Sequence, residues 1–293
     1  MNEDQDTHLG SAQHRHLARE AVVTVQGGPG GLSVSSIVEL WRFHEVLWAF
    51  SVRHVKVKYK QAAVGLGWAI IQPVLSAGLF AVFLGQVAHI GSEGAPYFLF
   101  ALAGMVVWTY FSTSTGGAME SLIADQAMLR KVYFPREILP MAAVIAALVD
   151  LVPAIGVLLI ASVAFGSIPT LWWLLLPIPL LIVVTTATAL GLFLAAINVY
   201  YRDVRYALPF VLQLGLFASP VIYSLSRVPS RWRQSYTVLN PVAASIDGVR
   251  RIVLHREPLD WTVTLAALGW SILLLIGGYA VFKRLERSFS DRV

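Results

Sequence analysis

The residues of this chain best suited to chemistry are two short basic clusters, and their spacing suits them to gripping something rather than breaking a bond. Lys56, Lys58 and Lys60 alternate with Val55, Val57 and Tyr59. Further on, Arg130, Lys131 and Arg136 bracket Tyr133, Phe134 and Pro135 in a segment that ends at Glu137. Charge around a rigid aromatic-proline core is the composition of an interface anchor. The simpler alternative is flanking charge of the kind membrane topology requires. Covalent chemistry finds little to work with. No Gly-Lys pair exists to open a phosphate-cradling loop, and neither a His-Glu-x-x-His helix nor a Gly-x-Ser-x-Gly turn occurs. The absence of cysteine removes thiolate catalysis and Cys-ligated metals. The chain is therefore expected to be no enzyme and to carry no metal or cofactor of its own. If ATP is consumed, another chain binds it.

One acid stands apart. Asp150 lies near the middle of a long apolar run, where an ionisable group costs a few kcal/mol and must face protein or water. It marks either a pore or coupling position or a hydrogen-bonded side chain at a helix contact. No Lys or Arg is expected at its depth.

The elements that must position these groups are membrane helices. Of 293 residues, 57% are hydrophobic and 13% charged, against about a quarter charged in globular domains. The apolar residues gather in blocks of about 20, the length that spans roughly 30 Å of hydrocarbon. Six spans are predicted, at about 62–88, 97–118, 138–165, 171–198, 206–225 and 262–282, so the fold class is all-α integral membrane. The net charge of +5 forms no continuous stripe, which argues against nucleic acid. Of the 22 Lys and Arg, 16 fall in the tails and loops on one side, which places both termini in the cytoplasm. The other six, Arg227, Arg231, Arg233, Arg250, Arg251 and Arg256, occupy a long external segment, 226–261, expected to fold back on itself.

Ahead of the spans, Ile37, Leu40, Trp41, Leu47, Trp48, Val52 and Val55 recur at helical spacing, opposite Glu39, Arg42, Glu45, Arg53 and Lys56. A helix lying in the headgroup plane is expected over 37–60. A helix on a soluble partner is the alternative, and Val55–Lys60 leaves a short strand open. Residues 1–36 lack an apolar signal-peptide core and read as a disordered tail, and 286–293 as a second cytoplasmic tail.

The segments Lys56–Pro73 (KVKYKQAAVGLGWAIIQP), Leu129–Glu137 (LRKVYFPRE), Asn198–Val204 (NVYYRDV), Ser219–Tyr223 (SPVIY) and Asn240-Pro241 occur here in one order. Together they resemble the permeases of ABC-type polysaccharide exporters, the class that moves O-antigen and teichoic-acid polymers. The likeness runs over about 37–285. It implies a homodimer with two separate ATPase subunits that carry ATP and magnesium, exporting a lipid-linked polysaccharide across the bacterial inner membrane. It also implies that loop 123–137 docks on the ATPase through Arg130, Lys131, Tyr133, Phe134, Pro135, Arg136 and Glu137, with Arg202 and Asp203 as a weaker second contact. By the same likeness Lys56, Lys58, Tyr59, Lys60 and Trp68 gate the cytoplasmic entrance, where a lipid pyrophosphate would meet the lysines.

A bundle of six spans without an internal repeat is too small to enclose a polymer, whereas a symmetric pair could hold a channel between its subunits. Tyr97, Phe100, Trp108 and Phe111 share one face of the second span and offer stacking surfaces for sugars, with Asp150 a further channel candidate. An interfacial aromatic belt is the competing reading. The external arginines could meet an anionic glycan or lipid headgroups. Two rival functions stay open at this point: an ABC permease for drugs or small lipids, which shares the fold, and a membrane enzyme acting on a lipid carrier, for which no pair of carboxylates is in place.

Overall fold

The computed structural model describes residues 41–289 apart from 61–63, 90, 130–133 and 288. The described chain is helical, as its apolar runs require, since backbone groups in a bilayer must be satisfied within their own segment. Among the described residues nine helices carry the architecture: α1 His44–Tyr59, α2 Gly67–Phe80, α3 Tyr97–Ala124, α4 Ile138–Ala164, α5 Pro177–Tyr200, α6 Val204–Ala218, α7 Ser230–Leu239, α8 Pro241–Arg250 and α9 Trp261–Glu286. A π-helical stretch, Ala81–Val87, prolongs α2 into one span of 21 residues.

Among the described residues five segments are long and apolar enough to cross a membrane: Gly67–Val87, Tyr97–Ala124, Ile138–Ala164, Leu171–Tyr200 and Trp261–Glu286. The predicted fifth span, 206–225, is different. Its helix, α6, has 15 residues, about 22 Å at roughly 1.5 Å per residue, which falls short of the hydrocarbon thickness. It stops because Pro220 forces Ser219 out of the helical region, to φ −103° and ψ 151°.

Helix α3 is the axis of the bundle. It packs against α2, α4, α5 and α8, and α9 packs on α5. Small residues allow the close approaches: a Cβ on Gly191 of α5 would stand 2.7 Å from Ala118 of α3. Helices α2 and α6 lie at the periphery, with Leu75, Leu79, Phe83, Phe210, Leu214 and Phe217 exposed.

The segment 226–261 folds inward on the bundle. Asn240 caps α8 by accepting from the Ala243 N–H at 3.2 Å, and Pro241 takes the first helical position. Nearly every α8 residue is then buried against α5 and α3. The chain leaves α8 through a π turn that ends at Arg256, in the left-handed region at φ 60°.

Where a strand stood open at Val55–Lys60, the structure has helix through Tyr59. Tertiary contact decides it: Phe50 and Ser51 are buried on α4, and Lys56 and Lys58 in the last turn suit the negative end of the helix dipole. Trp41 and Trp48 are 78% and 67% exposed. Phe289, past the end of α9, is buried against Phe282 and Tyr200.

Candidate functional site

Helix α1 joins three parts of the molecule. Near its middle the Phe50 ring stacks on Phe134 with centroids 5.2 Å apart. One turn on, Arg53 reaches Asp125 at 2.8 Å and His54 stands 3.6 Å from the same carboxylate. Asp125 is the residue that closes α3, so α1 is clamped to the start of the segment leading to the basic loop. Burial lowers the His54 pKa and outweighs the upward pull of Asp125, so the ring is neutral at pH 7.

At the end of α1, Lys58 and Tyr59 both donate to the Asp150 carboxylate. This corrects the expectation that Asp150 would find no cation at its depth. The last turn of α1 reaches the middle of α4, which sequence separation alone could not reveal. Lys58 is 52% exposed and Asp150 15%, so the acid is enclosed while the cation faces outward. Beside the pair lies a small cavity of about 70 Å³ lined by Tyr59, Trp68, Gln72, Thr109 and Asp150 among others. Residues assigned separately to a gate (Lys58, Tyr59, Trp68) and to a channel (Asp150) thus meet at one place. Lys56 and Lys60 flank it on α1 and its cap.

The docking segment is only partly available as a surface. Arg130, Lys131 and Tyr133 lie outside the described residues. Phe134 and Pro135 are buried, and the Phe134 ring is used within the protomer by Phe50. Glu137 is 1% exposed and pairs with Lys283 at 2.8 Å and with the Tyr279 hydroxyl at 3.2 Å. As a docking charge Glu137 is therefore a correction: it ties α4 to α9, because a buried carboxylate needs its cation. Arg136 donates to the Glu286 carbonyl at 3.3 Å and lies over the Phe289 ring. Arg202 and Asp203 are exposed at the short turn between α5 and α6.

The aromatic face of α3 also changes meaning. Phe100 is wholly buried beneath the Arg250 guanidinium, 3.4 Å from the ring centre, so it has no surface to offer a passing solute. Tyr97 donates to the Ile222 carbonyl at 2.5 Å. Trp108 and Phe111 pack on one another at 5.4 Å. Trp108 meets Gly215 of α6, where a Cβ would stand 2.9 Å from its ring. It lines a groove of about 450 Å³ between α3 and α6 that also holds Glu120, Arg205 and Gln213.

Arg250 is the residue that sequence reasoning misplaced. Grouped with five other arginines, all of them more exposed, it is 3% exposed. It donates to the Phe100, Pro220 and Val221 carbonyls at 3.0, 2.6 and 2.6 Å. The Pro220 and Val221 carbonyls are freed where the chain breaks at Ser219-Pro220 and the Phe100 carbonyl lies in the first turn of α3; a five-donor fork satisfies all three at once. Gly104 makes room: a Cβ there would stand 2.6 Å from the Val221 oxygen and 2.9 Å from the guanidinium. The available signal was the position of Arg250 at the end of a run of small residues, Ala243, Ala244, Ser245 and Gly248, that suits a buried helix.

The O-antigen export system permease protein RfbA of Myxococcus xanthus is 28% identical over 256 residues, covering 87% of this chain and 98% of that protein. A Klebsiella pneumoniae protein of the same name is 22% identical over 262 residues, 89% of this chain and 99% of its own length. The polysialic acid transport protein KpsM of Escherichia coli is 23% identical over 248 residues, 82% and 93% of the two chains. The model of the ABC-2 type transporter family matches residues 45–254, which include α1, every helix from α2 to α8 and the Arg250 clasp. This chain is a multi-pass membrane protein of the ABC-2 type transporter family.

Proposed function

We propose that the chain is the permease subunit of an ATP-driven exporter that carries a lipid-linked polysaccharide from the cytoplasm across the inner membrane. Support comes from the near full-length likeness to permeases named for O-antigen and polysialic acid export. In this reading two copies form the transport unit, and both termini and the α1 end face the cytoplasm. Two separate ATPase subunits bind ATP and magnesium, and the permease does no covalent chemistry.

The observation that carries the mechanism is the reach of α1. One rigid helix touches the closing residue of α3 through Arg53, the far side of the basic loop through Phe50, and mid-membrane Asp150 through Lys58 and Tyr59. A push on the loop containing Arg130 and Lys131, or on Arg202 and Asp203, would tilt α1 as a lever and strain the contacts at Asp150. Lys58 is the part of that contact an anionic lipid headgroup can compete for, since its ammonium is half exposed. Lys56 and Lys60 would then raise the local attraction for a pyrophosphate. The first span is built to yield, having Pro73 inside α2 and a π-helical stretch after it.

Co-purification tests the reading. The tagged chain, expressed with its chromosomal neighbours and extracted in mild detergent, should bring an ATPase subunit in equal amount. Charge reversal of Arg130 and Lys131 should remove that subunit and abolish surface polysaccharide while the permease stays monodisperse. A stable assembly without an ATPase would overturn the proposal.

A further inference from the structure

At the end of the bundle opposite α1, between the 91–95 loop, α7, the π turn after α8 and the start of α9, lies a polar cavity of about 760 Å³. That is within the roughly 300–1,000 Å³ of sites that hold small organic ligands. Its charges are largely spent on one another. Arg251 pairs with Glu257 at 3.2 Å and donates to the Pro258 carbonyl at 3.2 Å. Asp260 accepts from the Val263 N–H at 3.2 Å. Glu93 accepts from the Ser224 hydroxyl and lies 3.4 Å from His255.

Two polar atoms of the wall are left over. Arg233 Nε and His255 Nε2 are buried and make no hydrogen bond. The His255 nitrogen is within ion-pair range of Glu93 without the geometry of a hydrogen bond. Glu93 itself is held at φ 56°, a conformation that side chains other than glycine usually avoid and that marks positions fixed by their surroundings.

The lining selects among ligands. An anion would meet four carboxylates, those of Glu93, Asp247, Glu257 and Asp260, against two arginines and a histidine. An apolar molecule would find only Leu225 and Val263 to cover it. Among the described residues no group of three or more acids or histidines is placed to hold a metal ion. A neutral, hydroxyl-rich molecule fits, because each hydroxyl both donates and accepts. The wall offers it Ser230, Gln234 and Thr262, all three exposed.

We propose that this cavity is a saccharide-binding subsite, which holds a short stretch of neutral sugar units on the side where the glycan emerges. It rests on the exporter reading above and gives that reading a second contact point, far from the α1 lever. A sugar held there would resist sliding back while the bundle resets.

The test uses the full-length permease with its ATPase partner in detergent. The probe is a set of short oligosaccharides, released by mild acid from the surface polysaccharide that the producing bacterium loses when this gene is deleted. Wild-type complex should bind them saturably. Filling the cavity with Ser230→Trp and Thr262→Trp should weaken binding by about tenfold or more at unchanged thermal stability. Gln234→Ala, a milder change at an exposed position, should weaken it less and serves if the double variant fails to fold. Inorganic pyrophosphate should not compete. No binding by the wild type, equal binding by the variants, or competition by pyrophosphate would each overturn the subsite. If deletion costs the cell no polysaccharide, it is the exporter reading that fails, and the subsite with it.

Discussion

The two ends of the bundle handle buried charge in opposite ways. At the α1 end, charges face charges: Lys58 with Asp150 and Arg53 with Asp125, each pairing a half-exposed cation with an enclosed acid. At the other end, Arg250 is sealed in and its guanidinium is spent on backbone carbonyls. A partner that is a side chain can be exchanged for water, a ligand or another side chain. A partner that is a main-chain carbonyl at a helix break has no other donor to turn to. The α1 end is therefore suited to move and the α8 end to hold, and the family's transport role needs both.

The sharpest way to break this contrast is at Arg250. Arg250→Leu leaves several buried carbonyls unpaired and should cost on the order of 4 kcal/mol, seen as loss of a monodisperse peak in detergent. A variant of wild-type stability would show that the clasp holds nothing. Gly104→Ala probes the same place from the other helix. The added methyl would crowd the Val221 carbonyl and the guanidinium, with an expected penalty of about 1–3 kcal/mol in thermal unfolding.

Smaller effects are expected at α1. Lys58→Asp and Asp150→Lys should each impair export in cells with little change in stability, and the double swap should recover part of it. Their coupling energy in a double-mutant cycle should be about 0.5–1 kcal/mol, discounted for the half-exposed lysine. Absence of recovery would reduce the pair to a fold contact. Arg202→Glu with Asp203→Lys, at an exposed turn, should leave stability unchanged and weaken ATPase co-purification.

Acid should separate the two ends by where each begins to loosen. Burial lowers the His54 pKa below its ordinary 6.5. The folded form then binds fewer protons than the unfolded one, and stability rises with pH. The docking of α1 is fully present above about 6.5 and weakens as pH falls below it. Glu93 is pushed up by burial but pulled down further by Ser224, His255 and Arg250, to a net value below its ordinary 4.5. Its contribution is complete above about 4.5 and is lost only as pH falls beneath that. Protection against hydrogen exchange, taken relative to the intrinsic rate at each pH, should therefore fall in α1 between pH 7.5 and 5 and stay constant in the 91–95 loop. His54→Gln should flatten the α1 response, and an equal loss of protection at both ends would refute the contrast.

What could be read in advance followed from properties local in sequence. Block length and hydropathy located the spans, and five of the six hold, because solvation of an apolar run depends on its own residues. The predicted fifth falls short at Ser219-Pro220, where the proline effect was legible but the inward course of the chain after it was not. Arg250 looked like its neighbours Arg251 and Arg256, since the small residues before it hint at a buried helix but do not say which carbonyls the guanidinium will meet. Glu137 and Phe134 looked available for docking for the same reason, and their partners, Lys283 and Phe50, lie far away along the chain.

The sequence by itself determined that this is a multi-span helical membrane protein, because composition and span length need no partner in space. Only the tertiary structure decided which charges are free and which are spent. It brought Lys58 to Asp150 across 92 positions, buried Arg250 under the break at Pro220, and left a polar cavity beside Glu93. The physical reason is that a charge in an apolar medium is settled by whichever opposite charge or carbonyl folding brings to it, and that choice is long-range.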